Sequence, residues 1–218
     1  MSHDQDNQIT PGGSSPPLAS TTWRVDVAGR EIELPITPVK PDLAIALMMI
    51  TDMGVSFGDH IGAELAKILR PLQPEIVVGA ATLGIPVAIE VTRHLGLDHY
   101  IILQKSPKLH LTNALSRPLQ SITSHGDQAL RLDRAALPLL MRRRVVIVDD
   151  VIATGGSIAA SIALARDAAA EVIGVGCVLT DGADWRARLG EDAGLVRSLA
   201  HVPQFRPTTL GRWEPIEE

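Results

Sequence analysis

Cysteine, aromatic rings and positive charge are all scarce in this chain, and each scarcity removes a class of function. Among 218 residues there is one cysteine, Cys177, set in the apolar run EVIGVGCVLT. One thiol supports neither an internal disulfide nor a cysteine-based metal cluster, and it reads as a buried strand residue. It suits a reducing cytoplasm, the compartment expected here. Aromatics make up 3 % of the chain, which leaves few rings on which a flat ligand could stack. The formal net charge is −5, so the electrostatic footprint of a nucleic-acid binder is missing and no such partner is expected. The longest apolar run, LAIALMMI at 43–50, falls well short of the ~20 residues that a membrane span needs. The polar start MSHDQDNQITPGGSSPPLAS lacks the basic opening and apolar centre of a signal peptide. A soluble protein with no membrane partner is expected, with residues 1–21 as a disordered tail.

What is present is a chain 45 % apolar, enough for one sizeable core and a single domain over 22–218. Its most telling segment is Val145–Ser157, VVIVDDVIATGGS. Val145–Val148 are continuous, β-branched and bounded by charge, as in a buried parallel strand. Asp149 and Asp150 fall at the strand's end, the edge of an open α/β sheet where ligands sit. Ala153, Thr154, Gly155, Gly156 and Ser157 then lead into IAASIALARDAAA, a good helix by propensity. Backbone N–H groups at such a turn, with the helix dipole behind them, hold a phosphate, and glycines let it come close. The carboxylates repel that phosphate, so they face hydroxyls or a metal. Hydroxyls at one end and a phosphate at the other describe a ribose 5-phosphate. Two rival motifs fail: Val151 stands where a haloacid-dehalogenase-type phosphatase needs its second aspartate, and no lysine follows Gly156 as a Walker loop requires.

All 13 positions of VVIVDDVIATGGS resemble the phosphoribosyl pyrophosphate (PRPP) motif of the type I phosphoribosyltransferases, with the adenine and xanthine enzymes as the nearest branch. The resemblance implies an enzyme that moves a 5-phosphoribosyl group from PRPP to a base, with a purine favoured, and releases pyrophosphate. It also implies Mg²⁺ as cofactor, held through Asp149 and Asp150, and a homodimer. Ala81, Thr82, Leu83 and Gly84, in VVGAATLGIPVA, correspond to the family's pyrophosphate turn. Lys105 and Lys108, in QKSPKLHL, correspond to its basic loop. Val151, Ile152 and Trp185 are the candidates for the base subsite. Ser124-His125-Gly126 departs from the Glu-Tyr-Gly of the adenine enzymes, replacing a glutamate thought to act near the base, and His125 becomes a candidate acid or base there. The alternative is a PRPP-binding regulator without catalysis. Such regulators carry a winged-helix segment before the domain, where this sequence reads as a tail and a hairpin.

Thr22–Val27 and Glu31–Ile36 alternate about Ala-Gly-Arg, predicting a β-hairpin. Leu43–Ile50 suits either a buried helix or a strand. Ser56-Phe-Gly-Asp59 resembles a capping box opening a helix that runs to Pro71. Strands follow at Glu75–Gly79 and Tyr100–Gln104, with a helix Leu83–His94 between them closed by Gly96. Leu119–Thr123 and Ala129–Leu132 are expected to pair as a ribbon. Another strand is expected over Glu171–Leu179. Strands alternating with helices predict an α/β fold with a doubly wound, mostly parallel sheet, and a small N-terminal hood from about 22–57.

Overall fold

A computed structural model describes residues 22–106, 114–119, 129–209 and 211–217. In chain order the elements are β1 (Thr22–Val27), β2 (Arg30–Lys40), β3 (Leu43–Ala46), α1 (Val55–Leu69), β4 (Ile76–Ala80), α2 (Gly84–Leu95) and β5 (Tyr100–Leu103). They continue as β6 (Leu115–Pro118), β7 (Ala129–Leu132), α3 (Leu137–Leu140), β8 (Arg144–Ile152), α4 (Gly156–Asp167), β9 (Glu171–Asp181) and α5 (Asp184–Leu189). The last are β10 (Val196–Val202), β11 (Phe205–Pro207) and β12 (Trp213–Pro215).

Five strands form a fully parallel sheet in the order β10-β9-β8-β4-β5. Both faces are covered, and the side chains show it two residues at a time. Val146 and Val148 of β8 pack with Val77 and the α1 and α2 residues Ile61, Leu65, Val87 and Val91. Val145 and Ile147 face the other way, with Val78, Val175 and the α4 residues Ile158, Ile162 and Ala165. A strand buried on both faces has no polar side to show, which is why these strands read as unbroken apolar runs. Each fully buried Val, Leu or Ile contributes roughly 1.5–3 kcal/mol. Helices α1 and α2 cross closely at Gly62, where a Cβ would fall 2.4 Å from Cβ of Glu90.

The hairpin β1-β2 forms as expected, with Thr22 opposite Pro35 and Val27 opposite Arg30. It belongs to a second five-stranded sheet, β1-β2-β3-β11-β12, so the hood draws on the C-terminal end of the chain as well as the N-terminal one. Leu43–Ile50 resolves into strand β3 and a one-turn 3₁₀ helix at Ile50–Asp52. The expected capping box is absent: Gly54, at φ +81°, caps α1 without any side-chain bond, and Ser56 lies inside the helix. Gly96 does close α2, in the left-handed conformation at φ +77°. Ala129–Leu132 forms a ribbon with Leu115–Pro118, while residues 120–123 of the expected partner strand lie outside the described residues. Arg117 sets its place by a bidentate pair with Asp167 at the end of α4, at 2.6 and 2.8 Å. No described helix is long and apolar enough to cross a membrane. The tail at 1–21 lies outside the described residues.

Candidate active site

Strand β8 delivers both aspartates to the C-terminal edge of the parallel sheet, where Asp149 is 9 % and Asp150 7 % exposed. The Asp150 N–H donates to Oδ1 of Asp149 at 3.1 Å. Burial, and after it the charge of Asp150, push the Asp149 carboxyl up to about 8. Asp150 is also raised, chiefly by burial, although hydrogen bonds led by the Val151 N–H oppose the shift. Lys105, two residues past the end of β5, is the basic group whose field draws both carboxyls back toward their ionised forms. Two buried carboxylates with so little compensation favour a nearby cation, and their hard oxygen donors are of the kind that suits Mg²⁺.

Beyond the carboxylates the chain turns through Ala153–Ser157 into α4, and the turn lines a cavity of about 200 Å³ that Asp149 and Val151 also line. Helix α4 begins at Gly156 with no side-chain cap and no acidic residue in its first turn, so its leading N–H groups stay available for an anion. Gly155 sits at φ +75°, and a Cβ there would lie 3.2 Å from both Cα and the carbonyl oxygen of Trp185. Gly155→Val therefore strains the backbone and pushes the loop off α5. We expect a rise of roughly tenfold or more in KM for a phosphorylated ligand, the scale of a 1.4 kcal/mol loss in binding, checked by steady-state kinetics.

The second turn, Ala81–Gly84, closes against Asp149. A Cβ on Gly84 would stand 2.8 Å from Oδ1 of Asp149, so only glycine lets α2 begin this near. The Ala81 N–H donates to the Leu103 carbonyl at 2.8 Å, tying this turn to the end of β5. The Ala81–Thr82 peptide is cis. The structure thus gathers Asp149, Asp150, Lys105, the Ala81–Gly84 turn and the Ala153–Ser157 loop at one sheet edge.

The base-subsite candidates divide. Val151 is half-buried beside the cavity. Trp185 is 3 % exposed and packed in the core, with its indole N–H donating to the Gly182 carbonyl at 3.0 Å. Its expected place as a base wall is therefore corrected: its ring lies in the core, and its backbone Cα and carbonyl oxygen lie against Gly155. Ile152 is 1 % exposed and packs in the same core cluster, and it too borders the cavity. Lys108, Ser124 and His125 lie outside the described residues. Asp59, Glu90 and His94 also gather potential ligand atoms within 4.8 Å of one another, but on α1 and α2. His94 and Asp59 pair there at 2.9 Å, and Glu90 pairs with Arg93 at 3.3 Å.

Sequence reasoning missed the Gly84–Asp149 approach and that of the Trp185 backbone to Gly155. Both are contacts between segments far apart in the chain, and the only local signal was the glycine itself.

Residues 55–198 match the family described as phosphoribosyl transferase domain. An adenine phosphoribosyltransferase of Gluconobacter oxydans is 35 % identical over 127 residues, 58 % of this chain and 66 % of the relative, just under two thirds of its length. A xanthine phosphoribosyltransferase of Deinococcus deserti is 29 % identical over 66 % of this chain and 74 % of its own. An orotate phosphoribosyltransferase of Desulforamulus reducens is 33 % identical over 58 % and 54 %. In fold, the chain is similar to the Giardia lamblia adenine phosphoribosyltransferase crystallised with 9-deazaadenine, with a TM-score of 0.61 and 18 % identity over 83 % of this chain and 93 % of that one. The motif on β8, the parallel sheet that carries it and the match over 55–198 agree: this chain belongs to the phosphoribosyl transferase domain family.

Proposed function

We propose that the protein transfers the 5-phosphoribosyl group of PRPP to a nitrogenous base, preferentially a purine, giving a nucleoside monophosphate and pyrophosphate. The observation that carries this reading is one cavity lined by buried Asp149 and by the uncapped N-terminus of α4, with Asp150 buried next to Asp149 in the chain. Resemblance to adenine and xanthine enzymes supports the purine.

In this reading the Ala153–Ser157 loop grips the 5-phosphate, so binding energy remote from the reaction orients the reacting carbon. Asp149 and Asp150 hold the ribose hydroxyls, and their field favours the positive charge that grows on the ring as the bond to pyrophosphate loosens. Mg²⁺, held at Asp149 and Asp150, would offset part of the pyrophosphate charge. Amides of residues 82–84 in this turn face the leaving group, and Lys105 supplies positive charge beside it, with Lys108 proposed as its companion. Val151 offers the base an apolar wall. The resemblance also supports a homodimer, and the lone buried thiol suits the cytoplasm.

Lys105→Ala is expected to raise KM for PRPP or slow pyrophosphate release, and steady-state and single-turnover kinetics separate the two. The function itself is tested by supplying PRPP and Mg²⁺ with adenine, guanine, hypoxanthine, xanthine, uracil or orotate in turn. Pyrophosphate release with a purine is the expected result. A folded chain that binds PRPP but releases pyrophosphate with none of the six would instead be a PRPP-responsive regulator.

A further inference from the structure

The root of the Lys105 segment is held by a residue outside the motif. Gln104 and Arg131 exchange both backbone hydrogen bonds, each at 2.9 Å, joining the end of β5 to β7. The Arg131 side chain then reaches around this bridge. Its Nη1 donates to the Lys105 carbonyl at 2.7 Å and to the Ala129 carbonyl at 3.0 Å. Leu130 and Leu132, its neighbours on β7, are fully buried in the cluster that includes α4, so the strand is anchored from beneath. On the other flank, the Ala81 N–H holds the Leu103 carbonyl. Residues 103–105 are therefore pinned between the turn at Ala81–Gly84 and the guanidinium of Arg131. The backbone from which the Lys105 side chain springs is fixed, although that side chain is exposed.

We infer that Arg131 is a positioning residue for the transfer reaction: its guanidinium clips the Lys105 carbonyl and so holds the lysine ammonium beside the two aspartates. This assignment rests on the proposed function. A guanidinium suits the task because Nη1 carries two N–H donors fixed in the guanidinium plane, one for each carbonyl, with little loss of freedom per bond. An ammonium on a flexible stem in its place could still donate to the Lys105 carbonyl, though less firmly.

The test compares Arg131→Met, Lys105→Ala, the double variant and Arg131→Lys in the full chain, using the base that releases pyrophosphate fastest. Arg131→Met is expected to lower kcat by about tenfold to a hundredfold, the scale on which a misplacement of about 1 Å acts, with KM for the base unchanged. The double variant should be no slower than Lys105→Ala alone, because the two residues act as one unit. Arg131→Lys should recover part of the loss. Losses that multiply in the double variant would overturn the assignment, as would wild-type kcat in Arg131→Met. Failure of the wild type to release pyrophosphate would count against the transfer reaction, and the clip is then read separately by amide hydrogen exchange. In Arg131→Met the amides of residues 104 and 131 should exchange faster while those of β8 keep their protection; unchanged exchange would overturn the clip whatever the activity.

Discussion

Replacing Asp149 and Asp150 together by asparagine is expected to lower turnover by about a thousandfold or more, on the scale set by removing a preorganised electrostatic contact from a dry site. The fold should survive. Asparagine has nearly the shape of aspartate, and both positions lie at the end of a strand whose remaining side chains fill the two apolar faces of the sheet. What disappears is the negative field that favours a cationic sugar ring, together with the donor set for a divalent cation. Pyrophosphate release measured beside a circular-dichroism melt checks both halves. Wild-type turnover in the folded double variant would show that the pair has no part in the reaction.

The same carboxylates should make the ligand-free protein less stable as pH rises. Asp149 is raised in the folded chain to about 8, first by burial and then by Asp150, whereas the unfolded chain releases that proton near the ordinary ~3.9. Between these values the folded state keeps a proton that the unfolded state has lost. This contribution is complete below the unfolded pKa and is lost progressively as pH climbs through the folded one. Urea unfolding of the metal-free chain should therefore show stability falling from pH 5 to pH 8, by about a few kcal/mol. Asp149→Asn should flatten the profile and leave the variant more stable than the wild type at pH 8. A flat wild-type profile would mean that the pair is not desolvated. At the acid end the lowered Asp167 carboxyl, held down by Arg117, and the lowered Glu75 carboxyl, held down by the Arg144 N–H and by Arg143, work in the opposite sense, on exposed groups where screening keeps effects small.

Together these two expectations describe a site that gives up stability for function, a common pattern where like charges are gathered for chemistry. The conflict was already legible in the sequence, because Val145–Ser157 carries its strand, carboxylates, turn and helix start without a break. The sheet was legible for a similar reason: Ile76–Ala80 and Arg144–Ile152 are buried on both faces, and their apolar runs say so locally.

What escaped notice depends on distant partners. Ala129–Leu132 pairs with Leu115–Pro118, a strand the local pattern did not announce, and the Arg117–Asp167 pair that holds it joins residues 50 apart. Ser56 has the right chemistry for a helix cap, but Gly54 turns the chain two residues earlier, and Arg30 of the hood bonds the Ser56 carbonyl at 3.1 Å. The hood gains β11 and β12 because Phe205 pairs with Ala44 and packs edge-on against Trp23 at 5.3 Å, a closure that no local pattern announces. Trp185 looked like a ligand contact because it follows the last long strand. Its ring is buried in the core, and only its backbone approaches Gly155, where a side chain would collide with it.

The most direct measurement is a calorimetric titration of PRPP with Mg²⁺ into the wild type and into the Asp149→Asn, Asp150→Asn double variant. Saturable heat in the wild type, lost or greatly weakened in the double variant, is the result this site requires. No heat in the wild type, or equal heat in both proteins, would contradict it.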